Sequence, residues 1–197
     1  MKLYRPATVL VGILFVLLGG LTRLAGPDQV FEEDNRVVKR GTIGQAVPYG
    51  DSTVTVHRMK FARAYLTGET GKKAVETSGI YVALEYGTVQ GTQDISSPNG
   101  QLTTDKGTVY LPIAETYGSD IDFPAPGFGV IGSIIFEVNP ADLKGLTLKV
   151  SNLQLFNVMG QDVAIDLGVP DEKIAQQQID AATPEYLIAK SITRVAS

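Results

Sequence analysis

The stretch Ile80-Tyr81-Val82-Ala83-Leu84-Glu85-Tyr86 decides the fold of this 197-residue chain. Its large apolar side chains recur at every second position, which is the period of a β-strand with one buried face. The same period returns further along the chain, in Val130, Gly132, Ile134, Phe136 and Val138. Two segments of this kind predict a mainly β domain.

Further strands are predicted on both sides of these two, each bounded by turn residues. They cover Thr42–Val47, Thr53–Leu66, a hairpin from Pro98 to Leu111, Leu146–Val150, Leu153–Val158 and Val163–Leu167. Within the second of them the apolar positions change parity, which predicts a β-bulge near His57 or Arg58. About eight or nine short strands at this spacing indicate an antiparallel β-sandwich.

The last part of the chain has a different pattern. Asp171 is a typical N-cap, and it predicts a short helix that runs through Ile179 and stops at Thr183-Pro184. The tail from Tyr186 to Val195 is compatible with a final strand or with a second helix.

The N-terminal part of the chain is apolar. From Pro6 to Thr22 there are 17 residues without a charge, about 25 Å of helix and close to the thickness of a bilayer core. The anchor residues of this predicted transmembrane helix are Val9, Leu10, Ile13, Leu14, Leu17, Leu18 and Leu21. Lys2 and Arg5 precede the segment and acidic residues follow it, which predicts a cytoplasmic N-terminus.

A cleaved signal peptide is the alternative, but Arg23 fits poorly before a cut after Ala25. With a retained anchor, the chain divides into an anchor (1–25), a juxtamembrane stalk (26–41), a sandwich (42–169) and a C-terminal helix and tail (170–197). The expected location is the cell membrane, single-pass, with the domain outside the cytoplasm.

Composition excludes several classes of protein. The absence of cysteine removes disulfides, thiol nucleophiles and zinc-thiolate sites. A net charge of −4 and a pI near 5.0 argue against general nucleic-acid binding, which requires a basic face.

The strand pattern resembles that of a family of bacterial surface domains of unknown function with an immunoglobulin-like fold, akin to a small secreted mycobacterial immunoprotective antigen. The residues that carry this resemblance are Thr53–Phe61, Ile80–Tyr86, Leu102 through Gly107 to Tyr110, Pro126-Gly127 and Ile134–Val138. The resemblance spans roughly residues 41–152. It implies an immunoglobulin-like sandwich with a binding or adaptor role, and it favours an actinobacterial cell envelope.

Basic residues on one predicted strand form a candidate interaction patch for anionic envelope lipid or for a partner. They are His57, Arg58, Lys60 and Arg63. The competing interpretation, a solvated strand face, is the one that the pattern favours. His57 is the single histidine of the chain, so serine-hydrolase triads and multi-histidine metal sites lack their usual residues.

Asp120 and Asp122 alternate in a loop, a spacing that could contribute to a calcium site. A standard calcium loop needs more ligands than this, which favours turn-forming aspartates. Together with Glu85 or Glu137 they could supply a carboxylate pair for glycoside hydrolysis, which requires a cleft.

The sequence therefore predicts a non-enzymatic, membrane-anchored interaction module without a cofactor. Its expected partners are a membrane or cell-envelope protein complex and, through the N-terminal helix, the lipid bilayer. A protein that binds lipid or cell-wall glycan is the first alternative, and an envelope hydrolase is the second. Whether a small molecule binds stays open.

Overall fold

The computed structural model describes residues 36–67, 74–93, 95, 98–113, 120–152 and 160–196, and these fold into two packed β-sheets. The elements in chain order are β1 (Val37–Thr42), β2 (Val47–Tyr49), β3 (Ser52–Thr67), β4 (Val75–Val89), β5 (Pro98–Thr103), β6 (Val109–Tyr110), β7 (Phe128–Val138), a 3-10 turn (Pro140–Asp142), β8 (Thr147–Asn152), β9 (Gln161–Asp166), α1 (Glu172–Asp180), β10 (Thr183–Ile188) and β11 (Ile192–Val195).

The first sheet has the strand order β1-β9-β8-β5-β6, and the second has the order β10-β3-β4-β7-β11, with β2 also paired to β3. Most pairs are antiparallel, but β1 pairs with β9 and β10 pairs with β3 in parallel. The prediction of a mainly β sandwich is confirmed, but these two parallel pairs depart from the predicted antiparallel arrangement. Parallel neighbours need a long crossover, and in this chain both parallel pairs join strands more than 100 positions apart.

The core lies between the two sheets, and the alternating stretch that predicted the fold forms its centre. Ile80, Val82, Leu84 and Tyr86 point into the core from β4, each at most 2% exposed. The predicted bulge is confirmed by a register shift between Val56 and Arg58, where β3 pairs with β4. The extra residue of the bulge lets Val56 and Phe61 both face the core, although an odd number of positions separates them in sequence.

A second apolar cluster covers the opposite, outer face of the second sheet. It consists of Ala62, Tyr65, Tyr81, Ala83, Ile135, Tyr186 and Ile188, with Ile113 packed against it. Alternate residues of β4 thus face two different apolar clusters, which explains why Tyr81 and Ala83 are as buried as their neighbours. The last two members of the cluster come from β10, so the C-terminal segment packs onto this face.

At the C-terminal end, the predicted helix is confirmed, and the tail takes one of the two forms that the sequence left open. Asp171 caps α1 as expected, with its side chain accepting a hydrogen bond from the Ile174 N–H at 2.8 Å. The tail forms two strands, so the alternative of a second helix is wrong. Thr183 and Pro184 open β10, where proline is tolerated because it lies at the start of an edge strand.

The boundary between stalk and domain also differs from the prediction. β1 begins at Val37, inside the segment assigned to the stalk, while residues 43–46 form a turn where a strand was expected. The predicted anchor and the whole of the predicted strand Leu153–Val158 lie outside the described residues. Within the described part of the chain, no helix is long and apolar enough to cross a membrane.

Candidate functional site

A groove of about 370 Å³ runs along the outer face of the second sheet, beside the C-terminal segment. We call residues 183–195 the strap: β10 pairs with β3, β11 pairs with β7, and the link between them passes the intervening strand β4. The lining combines side chains of the sheet with those of the strap, chiefly Lys60, Glu85, Ile131, Ser133, Tyr186, Leu187 and Ile192. The groove therefore exists only when the strap is in place.

Glu85 organises the polar side of the groove. Arg58 donates to its Oε2 atom from Nε at 3.0 Å and from Nη2 at 2.5 Å. The Lys60 Nζ lies 3.6 Å from Oε1 of the same carboxylate. One acidic side chain thus holds two cations, and the hydrogen bond and charge of Glu85 raise the pKa of Arg58 above its usual range.

Tyr186 connects this polar side to the apolar cluster beneath the strap. Its hydroxyl hydrogen-bonds with Ser133 and Glu85, and burial raises the pKa of that hydroxyl above its ordinary value. The Lys60 Nζ lies 5.8 Å from the centre of the Tyr186 ring, within the range of a cation–π contact. Sheet and strap are therefore joined by specific polar contacts as well as by packing.

Aliphatic side chains form the other side of the groove and are unusually exposed. Ile131 is 46% exposed, Leu187 is 59% exposed and Ile192 is 52% exposed. Ile131 and Ile192 are direct cross-strand partners between β7 and β11. Three large aliphatic residues around one concave surface are typical of a binding site for an apolar group.

β11 also presents a backbone edge beside the groove. The Ala196 N–H donates to the Gly127 carbonyl at 3.0 Å, and backbone direction alternates along an antiparallel strand. Ile192 and Arg194 therefore point their backbone groups at β7, while Thr193 and Val195 point theirs away from the sheet. No other described strand pairs with β11, so an extended peptide could add to this edge.

The predicted basic patch is divided by the structure. Arg58 and Lys60 share Glu85 at the groove, whereas Arg63 donates from Nη2 to the Ile179 carbonyl of α1 at 3.4 Å. His57 lies over Gly87, since a Cβ added to that glycine would be 2.5 Å from the imidazole Nε2. The four residues do not form a single free cationic surface.

The two loop aspartates are held to the sheet through their backbone. The Tyr86 hydroxyl accepts from the Asp122 N–H at 3.0 Å and lies 3.3 Å from the Asp120 carbonyl. The Thr88 hydroxyl donates to the Asp122 carbonyl at 2.6 Å. Among the residues that the structure describes, no group of three or more histidine, cysteine, aspartate or glutamate side chains could hold a metal ion.

A buried ion pair lies where the described part of the chain begins. The Arg36 Nη2 is 2.6 Å from the Asp162 Oδ1, and the two side chains are 10% and 4% exposed. The Arg36 Nη2 donates its hydrogen bond to the Gln161 carbonyl, 3.1 Å away. Its contact with Asp162 is therefore ionic rather than a well-formed hydrogen bond. The Lys149 Nζ, at 3.8 Å, adds a second positive charge. These contacts fix the start of β1 to the first sheet.

A larger hollow of about 580 Å³ lies near the C-terminal ends of β1 and β9 and has a different character. Its lining includes Arg40, Thr42, Gln45, Asp105 and Asp166. This lining contains none of the large exposed aliphatic residues that distinguish the groove. The groove is therefore the stronger candidate for a binding site.

Sequence reasoning identified Arg58, Lys60 and Glu85 but missed the aliphatic side of the groove. Leu187 and Ile192 stand in a tail whose secondary structure the sequence left open, and nothing in their immediate context distinguishes them from core residues. The one available signal was Ile131, which breaks the alternation of β7 by placing a large apolar residue between Val130 and Gly132.

Comparison with known proteins gives little beyond this geometry. No protein-family model matches the chain, and no curated protein matches it significantly. The chain is similar to an uncharacterized β-sandwich protein from Clostridium difficile 630, with 14% identity over 66% of this chain and 95% of that one, at a TM-score of 0.38. A likeness at that score carries no argument about function, and the family resemblance stays a prediction.

Proposed function

We propose that this protein is a non-enzymatic interaction module of a cell envelope, tethered outside the cytoplasm by its N-terminal apolar segment, and that it binds an extended segment of another membrane protein at the strap groove. The observation that carries the proposal is the position of the exposed aliphatic residues Ile131, Leu187 and Ile192. They surround one concave surface directly beside the edge of β11, with which no other described strand pairs.

An extended peptide fits this combination of features. Its backbone would pair with the outward N–H and C=O groups of Thr193 and Val195, while one apolar side chain would enter the groove. Backbone pairing supplies affinity and the groove supplies selectivity, because only alternate side chains of an added strand face the same way. Accessory and assembly subunits need a contact of this kind, in which a partner is held without being changed chemically.

The tether supports the same assignment. With β1 beginning at Val37, ten residues separate it from Gly26, and even fully extended they reach only about 35 Å. A domain held this close to a bilayer meets membrane neighbours at high effective concentration, so a small interface suffices. We further propose that the sandwich is immunoglobulin-like. This rests on the resemblance of the strand pattern and on the two packed sheets, although the two parallel pairings depart from that pattern.

An anionic amphiphile, such as an envelope lipid, is the second candidate ligand. The specific observation in its favour is that Lys60 lies beside the aliphatic side chains of a groove whose volume suits a small ligand. Lys60 is already close to Glu85 and Tyr186, which makes a free anion a weaker fit than a peptide.

Site-specific photo-crosslinking in native membranes separates the two candidates. A photoreactive residue at position 187 should give an adduct of protein mass, and one at Val109, equally exposed but far from the groove, should not. An adduct of lipid mass at position 187 would favour the second candidate. Failure to crosslink at position 187 would contradict both.

The backbone edge can be tested independently of the groove. Thr193→Pro removes an N–H that points away from β7 and spares the pairing with β7. Loss of one hydrogen bond of this kind is expected to weaken the crosslink about tenfold. Thr193→Ala keeps the N–H and serves as the matched control. His57→Ala is expected to leave the crosslink unchanged, because His57 lies outside the groove.

A further inference from the structure

Both termini of the described domain lie at one end of the sandwich. The Gly50 N–H donates to the Gln161 side chain at 3.0 Å, and Gln161 pairs with Val37. The Gly91 N–H donates to Ser52 at 2.9 Å. Because β4, β7 and β11 pair successively, the residues Val89, Phe128 and Val195 are carried to the same end. We call this the Arg36 end.

The Arg36 end has an apolar rim. Five of the large hydrophobic residues that are exposed lie at strand termini there: Val37 (53%), Val38 (41%), Val89 (41%), Phe128 (39%) and Val195 (75%). They are distributed across both sheets, from β1 in one to β11 in the other. A rim of this width is unsuited to a narrow peptide and suited to a flat apolar surface.

The chain outside the described residues indicates which surface that is. The apolar run from Pro6 to Thr22 is joined to Arg36 by only 13 residues, which reach about 45 Å when fully extended and less otherwise. The buried Arg36–Asp162 pair holds the start of the domain firmly at this end. The tether is therefore attached at the end of the sandwich that carries the apolar rim.

We infer that the Arg36 end of the sandwich rests on the lipid bilayer, with its rim of Val37, Val38, Val89, Phe128 and Val195 in the interfacial layer. This inference rests on the membrane tether of the proposed function. Small clusters of apolar side chains at the headgroup boundary add to the affinity that an anchor supplies. In this orientation the groove lies on the side of the sandwich and faces neighbouring membrane proteins, while the edge of β11 runs from Ile192 at the groove to Val195 at the interfacial layer.

The absence of tryptophan from the chain permits a direct test. The full-length protein carrying Phe128→Trp is reconstituted into vesicles of phosphatidylcholine and phosphatidylglycerol, with or without bromine on the acyl chains. Emission of the new tryptophan is expected to shift to shorter wavelength and to lose intensity in the brominated vesicles. Val195→Trp, at a more exposed site, is expected to behave in the same way and guards against misfolding of the first variant.

Leu111→Trp is the matched control. Leu111 is 65% exposed and lies next to Pro112, which is bridged to Phe136. The eight positions from Phe128 to Phe136 correspond to about 26 Å along β7, beyond the reach of bromine in the bilayer. The emission of the tryptophan at position 111 should therefore be equal in vesicles with and without bromine.

The remaining outcomes decide against the inference in distinguishable ways. A protein that floats with the vesicles but shows equal emission at positions 128 and 195 would overturn the orientation and leave the tether intact. Quenching at Leu187→Trp instead would place the groove on the membrane and overturn both the orientation and the peptide site. A chain that does not float with the vesicles would remove the tether and the inference together.

Discussion

Two neighbouring residues of the strap are expected to affect different properties when they are shortened to alanine. Ile188 is fully buried in the outer-face cluster with Tyr81, Ala83 and Ile135. Leu187 precedes it in β10, is 59% exposed and lines the groove. Ile188→Ala should therefore destabilise the fold, whereas Leu187→Ala should mainly weaken binding.

The expected magnitudes follow from burial. Shortening a buried isoleucine to alanine removes contacts and leaves a cavity, at a typical cost of 2–5 kcal/mol, and the complete burial of Ile188 predicts about 3 kcal/mol. That is a large share of the stability of an ordinary domain. Leu187→Ala removes an exposed side chain and should change the free energy of unfolding by less than about 0.5 kcal/mol.

Pulse proteolysis of the full-length protein in mild detergent, over a series of urea concentrations, measures the global free energy of unfolding. The Ile188→Ala variant should show a lower urea midpoint than the parent protein. Its slope should be unchanged, because it exposes nearly the same surface on unfolding as the parent protein does. Leu187→Ala should keep the midpoint of the parent protein and weaken the crosslink of a photoreactive residue placed at Ile192, another lining residue of the groove.

Equal midpoints for both variants and the parent protein would show that β10 does not pack on the second sheet. The groove would then have no outer wall, and the proposed peptide site would fail with it. A large loss of stability in Leu187→Ala would likewise contradict the arrangement, since an exposed residue cannot supply it.

Three further predictions concern stability. Arg36→Ala leaves the buried carboxylate of Asp162 without its main partner and should cost about 3 kcal/mol, measured by the same unfolding assay; a loss below 1 kcal/mol would mean that water already reaches the pair. Burial raises the pKa of Tyr49 and of Tyr86 from 10.0 to about 12, so each hydroxyl stays protonated in the folded state where the unfolded chain ionises. The free energy of unfolding should therefore be unaffected by these groups below pH 10 and fall between pH 10 and 12, by up to about 3 kcal/mol for each, and Tyr86→Phe should reduce that slope if burial is the cause. Asp171→Ala removes the cap of α1 and should cost about 1 kcal/mol, with Asp171→Asn, which retains an acceptor, close to the parent protein; equal losses in both would contradict the capping role.

The sequence alone was sufficient to predict the elements that depend on residues only a few positions apart. Alternation from Ile80 to Tyr86 marks β4 because side chains on one face of a strand repeat every two residues. The change of parity near His57 locates the bulge of β3, and Asp171 locates the start of α1, because a side chain meets its own backbone there. Each of these features depends on contacts within a few positions. That the opposite face of β4 is also buried, at Tyr81 and Ala83, depends on the second apolar cluster.

Tertiary structure decided everything that depends on distant partners. Tyr186 and Ile188 form a strand, and not a helix, because the edge of β3 pairs with this segment and the outer face of the sheet offers apolar surface to cover. β1 pairs with β9 in parallel, and the Arg36 side chain that precedes it is held by Asp162, more than 100 positions away. The groove also depends on distant partners, because it is lined by the sheet and by the strap, which meet only after folding. The periodicity of one segment cannot show that it will pack against another.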